Sequence, residues 1–263
     1  MNVMIKKGSD PLSTIGALSI IAEDAGKIIN ASLTGSAPPK HRIKQDLSPV
    51  TAADEAANTF IVDSLKSMDF GLPIIAEESV SGCPANLNSN SSFWLVDPLD
   101  GTKEFIAGRS EFTVNIALIA MGKPILGVIH LPAQNITYMG HHTAGAFKRT
   151  GAGEPETIRV RKQPPDGATI VVSRSHLTSE TKEWLSNQNI RAYRKAGSSL
   201  KFCLLAEGRA DLYPRLGRTM EWDIAAGHAI LSAAGGDVEE INGEPLRYGK
   251  PGFENPNFIA HGG

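Results

Sequence analysis

Cysteine is nearly absent from this chain, with two residues, Cys83 and Cys203, among 263. They stand far apart with no pairing pattern, so a disulfide framework is excluded and a reducing compartment fits. Cys203 sits in the apolar run Phe202-Cys203-Leu204-Leu205, which predicts a buried structural thiol. Excess charge of either sign is also missing. The 26 basic and 28 acidic residues leave a net charge of −2, which argues against a nucleic-acid binder with its basic stripe. A small anionic ligand remains compatible, because a few well-placed Lys and Arg suffice for it. No run reaches the ~18 apolar residues of a membrane span. No apolar segment follows the first lysines before the acidic Glu23-Asp24, so no secretory signal is predicted. These absences together describe a cytoplasmic globular protein.

What is present is enough apolar residue, 41% of the chain, to build a core without staples. At ~150 residues per domain the length predicts one large α/β unit or two packed halves. Asp10-Pro11 predicts a helix start, and Ile15, Leu18, Ile21, Ala22, Ala25, Ile28 and Ile29 keep helical spacing up to a stop at Gly35. Residues 40–46 read as a polar, basic hairpin or loop. A second helix begins near Thr51, with Ala57, Phe60, Ile61, Leu65 and Met68 inward. Strands follow at 72–76, 93–96, 113–121, 125–131 and 136–139, the last three joined by short turns that predict an antiparallel meander. Gly151, Gly153 and Pro155 mark a boundary, dividing the chain into halves 1–150 and 151–263. In the second half, strands at 169–173, 191–195, 210–213 and 237–241 alternate with helices at 179–187, 199–207 and 223–234. That order is α/β.

The chemistry concentrates in Asp97-Pro98-Leu99-Asp100-Gly101-Thr102, where a buried strand ends in two carboxylates around a tight turn. Glu77-Glu78 closes the preceding strand and can share that rim. Clustered carboxylates are hard oxygen donors suited to Mg²⁺, and without a cation they repel one another. The two aspartates are separated by two residues, which is out of register for an Asp-x-Asp nucleophile site. Gly197-Ser198-Ser199 opens a helix whose free N–H groups form a candidate anion site, with Lys201 and Arg215 as added cations. His141-His142 lacks the neighbouring ligands of a zinc site.

These stretches resemble the inositol monophosphatase superfamily of Mg²⁺-dependent, lithium-sensitive phosphatases. The resemblance is carried by Ala76-Glu77-Glu78-Ser79, by Trp94 through Thr102, by Glu221-Trp222-Asp223-Ile224-Ala225-Ala226-Gly227 and by Thr51-Ala52-Ala53-Asp54. It implies a layered αβαβα sandwich. It also implies that Glu77, Asp97, Asp100, Asp223 and the Leu99 carbonyl hold two or three Mg²⁺, and that Asp54 and Thr102 orient and deprotonate the attacking water. Lys103-Glu104-Phe105 departs from the inositol monophosphatase pattern. The stretch from Gly197 to Arg215 is similar to bacterial CysQ-type 3′(2′),5′-bisphosphate nucleotidases, enzymes of sulfur assimilation.

That likeness implies hydrolysis of 3′-phosphoadenosine 5′-phosphate to AMP and phosphate. Gly101, Thr102, His176, Ser198, Lys201, Arg215 and Asp223 would touch the substrate, and Lys44 would sit on a loop that helps close the metal site. An inositol monophosphatase or broad sugar-phosphate phosphatase is the alternative, with the same metal site and a different substrate wall. The expected partner is a small nucleotide, with no nucleic acid and no membrane-spanning segment. The protein is a monomer or homodimer, and peripheral attachment to the inner membrane face is left open.

Overall fold

The structure is a computed structural model that describes residues 10–33, 39, 41–43, 49–82, 87, 90–174 and 178–263. Helix α1 (Pro11–Ala31) starts as its sequence predicts. The Asp10 carboxylate accepts the Ser13 N–H, and Pro11 fills the first turn, where no N–H is needed. Its C-cap is Ser32, and the predicted stop, Gly35, lies outside the described residues. Strands β1 (His41–Ile43) and β2 (Pro49–Thr51) pair antiparallel and lead into α2 (Ala52–Ser67), which buries Ala57, Ile61 and Leu65.

Next come β3 (Ile74–Ala76), a 3₁₀ turn at Glu77–Gly82, β4 (Ser92–Asp100) and the short α3 (Thr102–Ile106). The predicted meander follows as β5 (Thr113–Ala120), β6 (Lys123–Leu131) and β7 (Ile136–His141). It continues beyond the prediction into β8 (Gly145–Thr150) and β9 (Glu156–Ile158). The C-terminal part holds β10 (Ala168–Ser173), α4 (Ser179–Ser186), β11 (Ile190–Ala196), α5 (Leu200–Ala206), β12 (Leu212–Arg215), α6 (Glu221–Ala233), β13 (Asp237–Glu240) and β14 (Phe258–His261).

Strands β3 to β9 form a seven-stranded sheet in chain order, parallel only between β3 and β4. The second sheet has the order β11-β10-β12-β14-β13. Its alternating strands and helices predict parallel pairing, and β11-β10-β12 obey. The pairs β12-β14 and β14-β13 are antiparallel, because β13 connects to β14 without a crossover helix.

Side-chain parity shows the layers. On β4, Trp94 and Val96 pack with α1 and α2, while Phe93 and Leu95 pack with α5, α6 and the second sheet. On β10, Val171 joins that inner core, and Ala168, Ile170 and Val172 meet α4 on the far side. The result is helix, sheet, helix, sheet, helix. The central α6 lies unusually close to the seven-stranded sheet. A Cβ on Gly127 of β6 would stand 2.3 Å from the Ala226 carbonyl oxygen, and one on Gly140 of β7 would stand 2.6 Å from Ile230 Cα. Among the described residues no helix is long and apolar enough to cross a membrane.

Candidate active site

A cavity of about 780 Å³ opens where β4, α5, β12 and the start of α6 converge. Asp97 and Asp100 both line it, although residues three apart on a regular strand point to opposite faces. The β4–β5 ladder explains this. Asp97 faces Asn115 and Asp100 faces Thr113, so β4 carries one extra residue between them, and the bulge re-aims the second aspartate. Gly101 follows at φ 91°, a left-handed conformation that favours glycine, and Thr102 then opens α3.

Asp97 is fully buried, and its Oδ1 accepts the Leu99 N–H at 3.1 Å. Burial, reinforced by the charges of Glu77, Asp100, Asp223 and Asp54, pushes its carboxyl well above the usual range. Asp223 is pushed up to about 8, by burial first and then by Asp100 and Glu77, with Arg215 offsetting part of this. It is the third residue of α6 rather than its cap, and its Oδ2 accepts the Met220 N–H at 2.8 Å. Asp100 Oδ2 accepts from Ser198 Oγ at 2.6 Å and from the Ser199 N–H at 2.7 Å.

Asp54 stands behind this rim at the start of α2. Its Oδ2 takes the Thr51 N–H at 2.8 Å and the Thr51 hydroxyl at 2.5 Å, while its Oδ1 takes the Thr102 hydroxyl at 3.1 Å. Burial raises its pKa against those bonds.

The donor set can be tested against a hard divalent cation. Glu77, Asp97, Asp100 and Asp223 line one cavity. Asp97, Asp100 and Asp223 form no ion pair with Lys or Arg among the described residues, and burial together with mutual repulsion raises Asp97 and Asp223. The Leu99 carbonyl accepts from Thr102 at 3.1 Å and keeps a second lone pair. In charge and donor type the residues fit Mg²⁺. As they stand among the described residues, no three acidic or imidazole side chains close around one point, since Asp100 and Asp223 are each drawn toward neighbouring donors.

Lys201 and Arg215 line the same cavity. Lys201 is 6% exposed, donates to the Ser198 carbonyl and lies 5.2 Å from the Tyr213 ring centre. Burial lowers its pKa to about 8 against the pull of Asp100.

The Gly-Ser-Ser helix start differs from its sequence reading. Two of its N–H groups are already taken: Gly197 donates to Glu111 Oε2 at 2.9 Å and Ser199 to Asp100 at 2.7 Å. A helix of seven residues begins only at Leu200. His176 and Lys44 lie outside the described residues.

Sequence reasoning missed the polar residues that support this rim. Thr113 and Asn115 are buried on β5, where Asn115 Oδ1 accepts from Ser199 Oγ at 2.7 Å and the Thr113 hydroxyl meets those of Ser198 and Ser199. Two polar residues at alternate positions of an otherwise apolar strand were the available signal. Glu221 is fully buried at the head of α6 and accepts the Gly249 and Lys250 N–H groups at 2.8 and 2.9 Å. Arg161 forms a two-point pair with Asp211 at 2.8 and 2.9 Å.

Comparison with known proteins adds to this geometry. The family model described as "Inositol monophosphatase family" matches residues 13–262. The chain is 46% identical over 239 residues to the 3′(2′),5′-bisphosphate nucleotidase CysQ of Escherichia coli (strain K12), covering 90% of this chain and 95% of the relative. The fold is similar to the crystal structure of CysQ from Bacteroides thetaiotaomicron, with a TM-score of 0.78 and 38% identity over 95% of this chain and 97% of the other. The Thermotoga maritima IMPase gives a TM-score of 0.78 at 27% identity, over 95% and 92% of the two chains.

Proposed function

The chain belongs to the inositol monophosphatase family, and on that premise we propose that it is a Mg²⁺-dependent 3′(2′),5′-bisphosphate nucleotidase, hydrolysing the 3′-phosphate of 3′-phosphoadenosine 5′-phosphate. The observation that carries this reading is the mixed charge of one cavity. A carboxylate rim and the cations Lys201 and Arg215 share it. A single phosphate held by metal leaves those cations without an anion; a second phosphate on the same substrate supplies one.

Glu77, Asp97, Asp100, Asp223 and the Leu99 carbonyl would hold two or three Mg²⁺. When bound, the metal supplies Lewis-acid stabilisation of charge on the transferring phosphoryl group. Thr102 donates its proton to Asp54, so its oxygen lone pairs accept a hydrogen from water and orient it toward phosphorus. A water oxygen–phosphorus bond forms, the bond from phosphorus to the ribose 3′-oxygen breaks, the water proton passes toward Asp54, and the leaving 3′-oxygen takes up a proton from solvent. Lys201, Arg215 and Ser198 hold the non-reacting phosphate, and Gly101 lets the backbone approach the reacting one. The enzyme acts in the cytoplasm on a small nucleotide, without nucleic acid, as a monomer or homodimer.

Phosphate release tests this. With purified protein and Mg²⁺, the adenosine bisphosphate is expected to be hydrolysed far faster than inositol 1-phosphate, with inhibition by Li⁺ and no turnover in a chelator. Equal or faster use of inositol 1-phosphate would favour the alternative to which the Thermotoga similarity points, a monophosphatase with the same metal site.

A further inference from the structure

Asp100 is held by one oxygen only. Its Oδ2 accepts from Ser198 Oγ, the Ser199 N–H and, at 3.5 Å, Asn115 Nδ2, which leaves Oδ1 for a ligand in the cavity. The direction of that free oxygen therefore depends on where the Gly197-Ser198-Ser199 turn sits. The turn is not a relaxed one, because Ser198 has φ 54°, a left-handed conformation that a serine rarely adopts.

What fixes the turn comes from two distant parts of the chain. Glu111, between α3 and β5, accepts the Gly197 N–H through Oε2. Arg174, just past β10, grips that carboxylate with both arms of its guanidinium, Nε to Oε2 at 2.9 Å and Nη2 to Oε1 at 2.7 Å. The same arginine reaches the strand entering the turn, its backbone N–H to the Ala196 carbonyl at 3.2 Å and Nη2 to the Lys195 carbonyl at 3.3 Å. Both ends of this brace hold the turn's leading side. Its side chains belong to none of the three hydrophobic clusters, and the Arg174 side chain is 37% exposed.

We propose that Arg174 and Glu111 are positioning residues for Asp100, setting its metal-facing oxygen through the Gly197-Ser198-Ser199 turn. The proposal rests on the reading above, in which Asp100 is a Mg²⁺ ligand. The planar two-point pairing is a requirement, since lysine offers a point charge in place of the fork.

The test uses the full-length protein stripped with a chelator, with Mg²⁺ alone as the probe and the Mg²⁺-dependent rise in melting temperature as the readout. Glu111→Gln and Arg174→Gln are each expected to raise the Mg²⁺ midpoint about ten-fold, in the range found when outer partners of metal ligands are removed. Arg174→Lys falls between these and wild type, and the double variant is no weaker than the worse single one because both break one chain of contacts. Metal-free melting stays near wild type. Wild-type Mg²⁺ midpoints in the variants would overturn the proposal, as would weakened midpoints that only track lost metal-free stability. Arg174→Lys keeps the charge and serves as the deciding variant if either glutamine variant does not fold. A wild-type protein that neither responds to Mg²⁺ nor releases phosphate would instead overturn the underlying reading.

Discussion

Thr102 donates its hydroxyl to Asp54 Oδ1 at 3.1 Å across 48 residues of sequence, and the Leu99 carbonyl lies at the same distance from that hydroxyl. One proton thus has two acceptors, and the anionic one is the stronger. The other Asp54 oxygen is held by Thr51, so the carboxylate cannot rotate away.

Removing the hydroxyl or the charge should therefore slow chemistry more than binding. Thr102→Ala and Asp54→Asn are each expected to lower kcat by about 10²- to 10⁴-fold, the range of general base catalysis, with KM changed little. Steady-state phosphate release at saturating Mg²⁺ measures this. A rise in KM at constant kcat would assign the pair to substrate binding instead.

Asp97 sits in the most crowded part of the carboxylate rim. Asp97→Asn is expected to reduce turnover by well over the ~10²-fold of changes outside the ligand set. The same substitution removes one charge from a group that repels itself, so metal-free protein should melt a few degrees higher, about what 1 kcal/mol yields in a domain of this size. Calorimetry of chelator-treated wild type and variant checks the sign. Substantial activity in the variant would refute its role as a ligand.

Lys201→Ala separates the two substrate classes. A hydrogen bond to a charged group is worth about 1.5–3 kcal/mol, so kcat/KM for the adenosine bisphosphate should fall about ten- to a hundred-fold. A substrate with only the reacting phosphate, such as 3′-AMP, should be used as well as before. An equal loss on both would show that Lys201 acts through the Ser198 turn, to whose carbonyl it donates.

Three buried imidazoles should each subtract stability on the acid side, opposite in sign to the raised carboxylates Asp97 and Asp223. Burial lowers His130 and His141 from 6.5 to about 4, His141 with added repulsion from His142, and His228 to about 3. The Glu23 charge near His130 and the Asp237 carboxylate 3.9 Å from His228 do not offset it. Below pH 6.5 the unfolded chain takes up protons that the folded chain refuses. Each histidine then costs about 1.4 kcal/mol per pH unit, down to about pH 4 for His130 and His141 and about pH 3 for His228. Urea unfolding between pH 7 and 4.5, compared for wild type and His130→Gln, isolates one contribution. The variant should lose about a third of the histidine slope, and an unchanged slope would remove His130 from the account.

The legible parts of this molecule are those in which neighbouring residues carry the information. Asp10-Pro11 announces α1 because cap and first turn are adjacent. Asp97 through Thr102 announces a strand end because Pro98 and Gly101 lie between the carboxylates. The bracing residues were not legible. Glu111 and Arg174 are ordinary surface types in sequence, and only the fold brings them to Gly197. The occupied N–H groups at 197 and 199 were misread for the same reason, since their acceptors come from residues 111 and 100. Strands β8, β9 and β14 escaped because they are short and partly exposed, without a sustained alternation.

The missing side chains of Gly127 and Gly140 have a bearing on catalysis that neither position would suggest. Helix α6 carries Asp223, and its height above the sheet that carries Asp97 is set where the Ala226 carbonyl and Ile230 Cα rest on bare backbone. A single methyl group at either place leaves every polar residue of the rim intact while it lifts the helix as a body. The gap spanned between Asp97 and Asp223 would widen from beneath. Two positions outside the cavity thus act as spacers for its carboxylates, and a chain altered there would keep its full set of acidic side chains at the wrong separation.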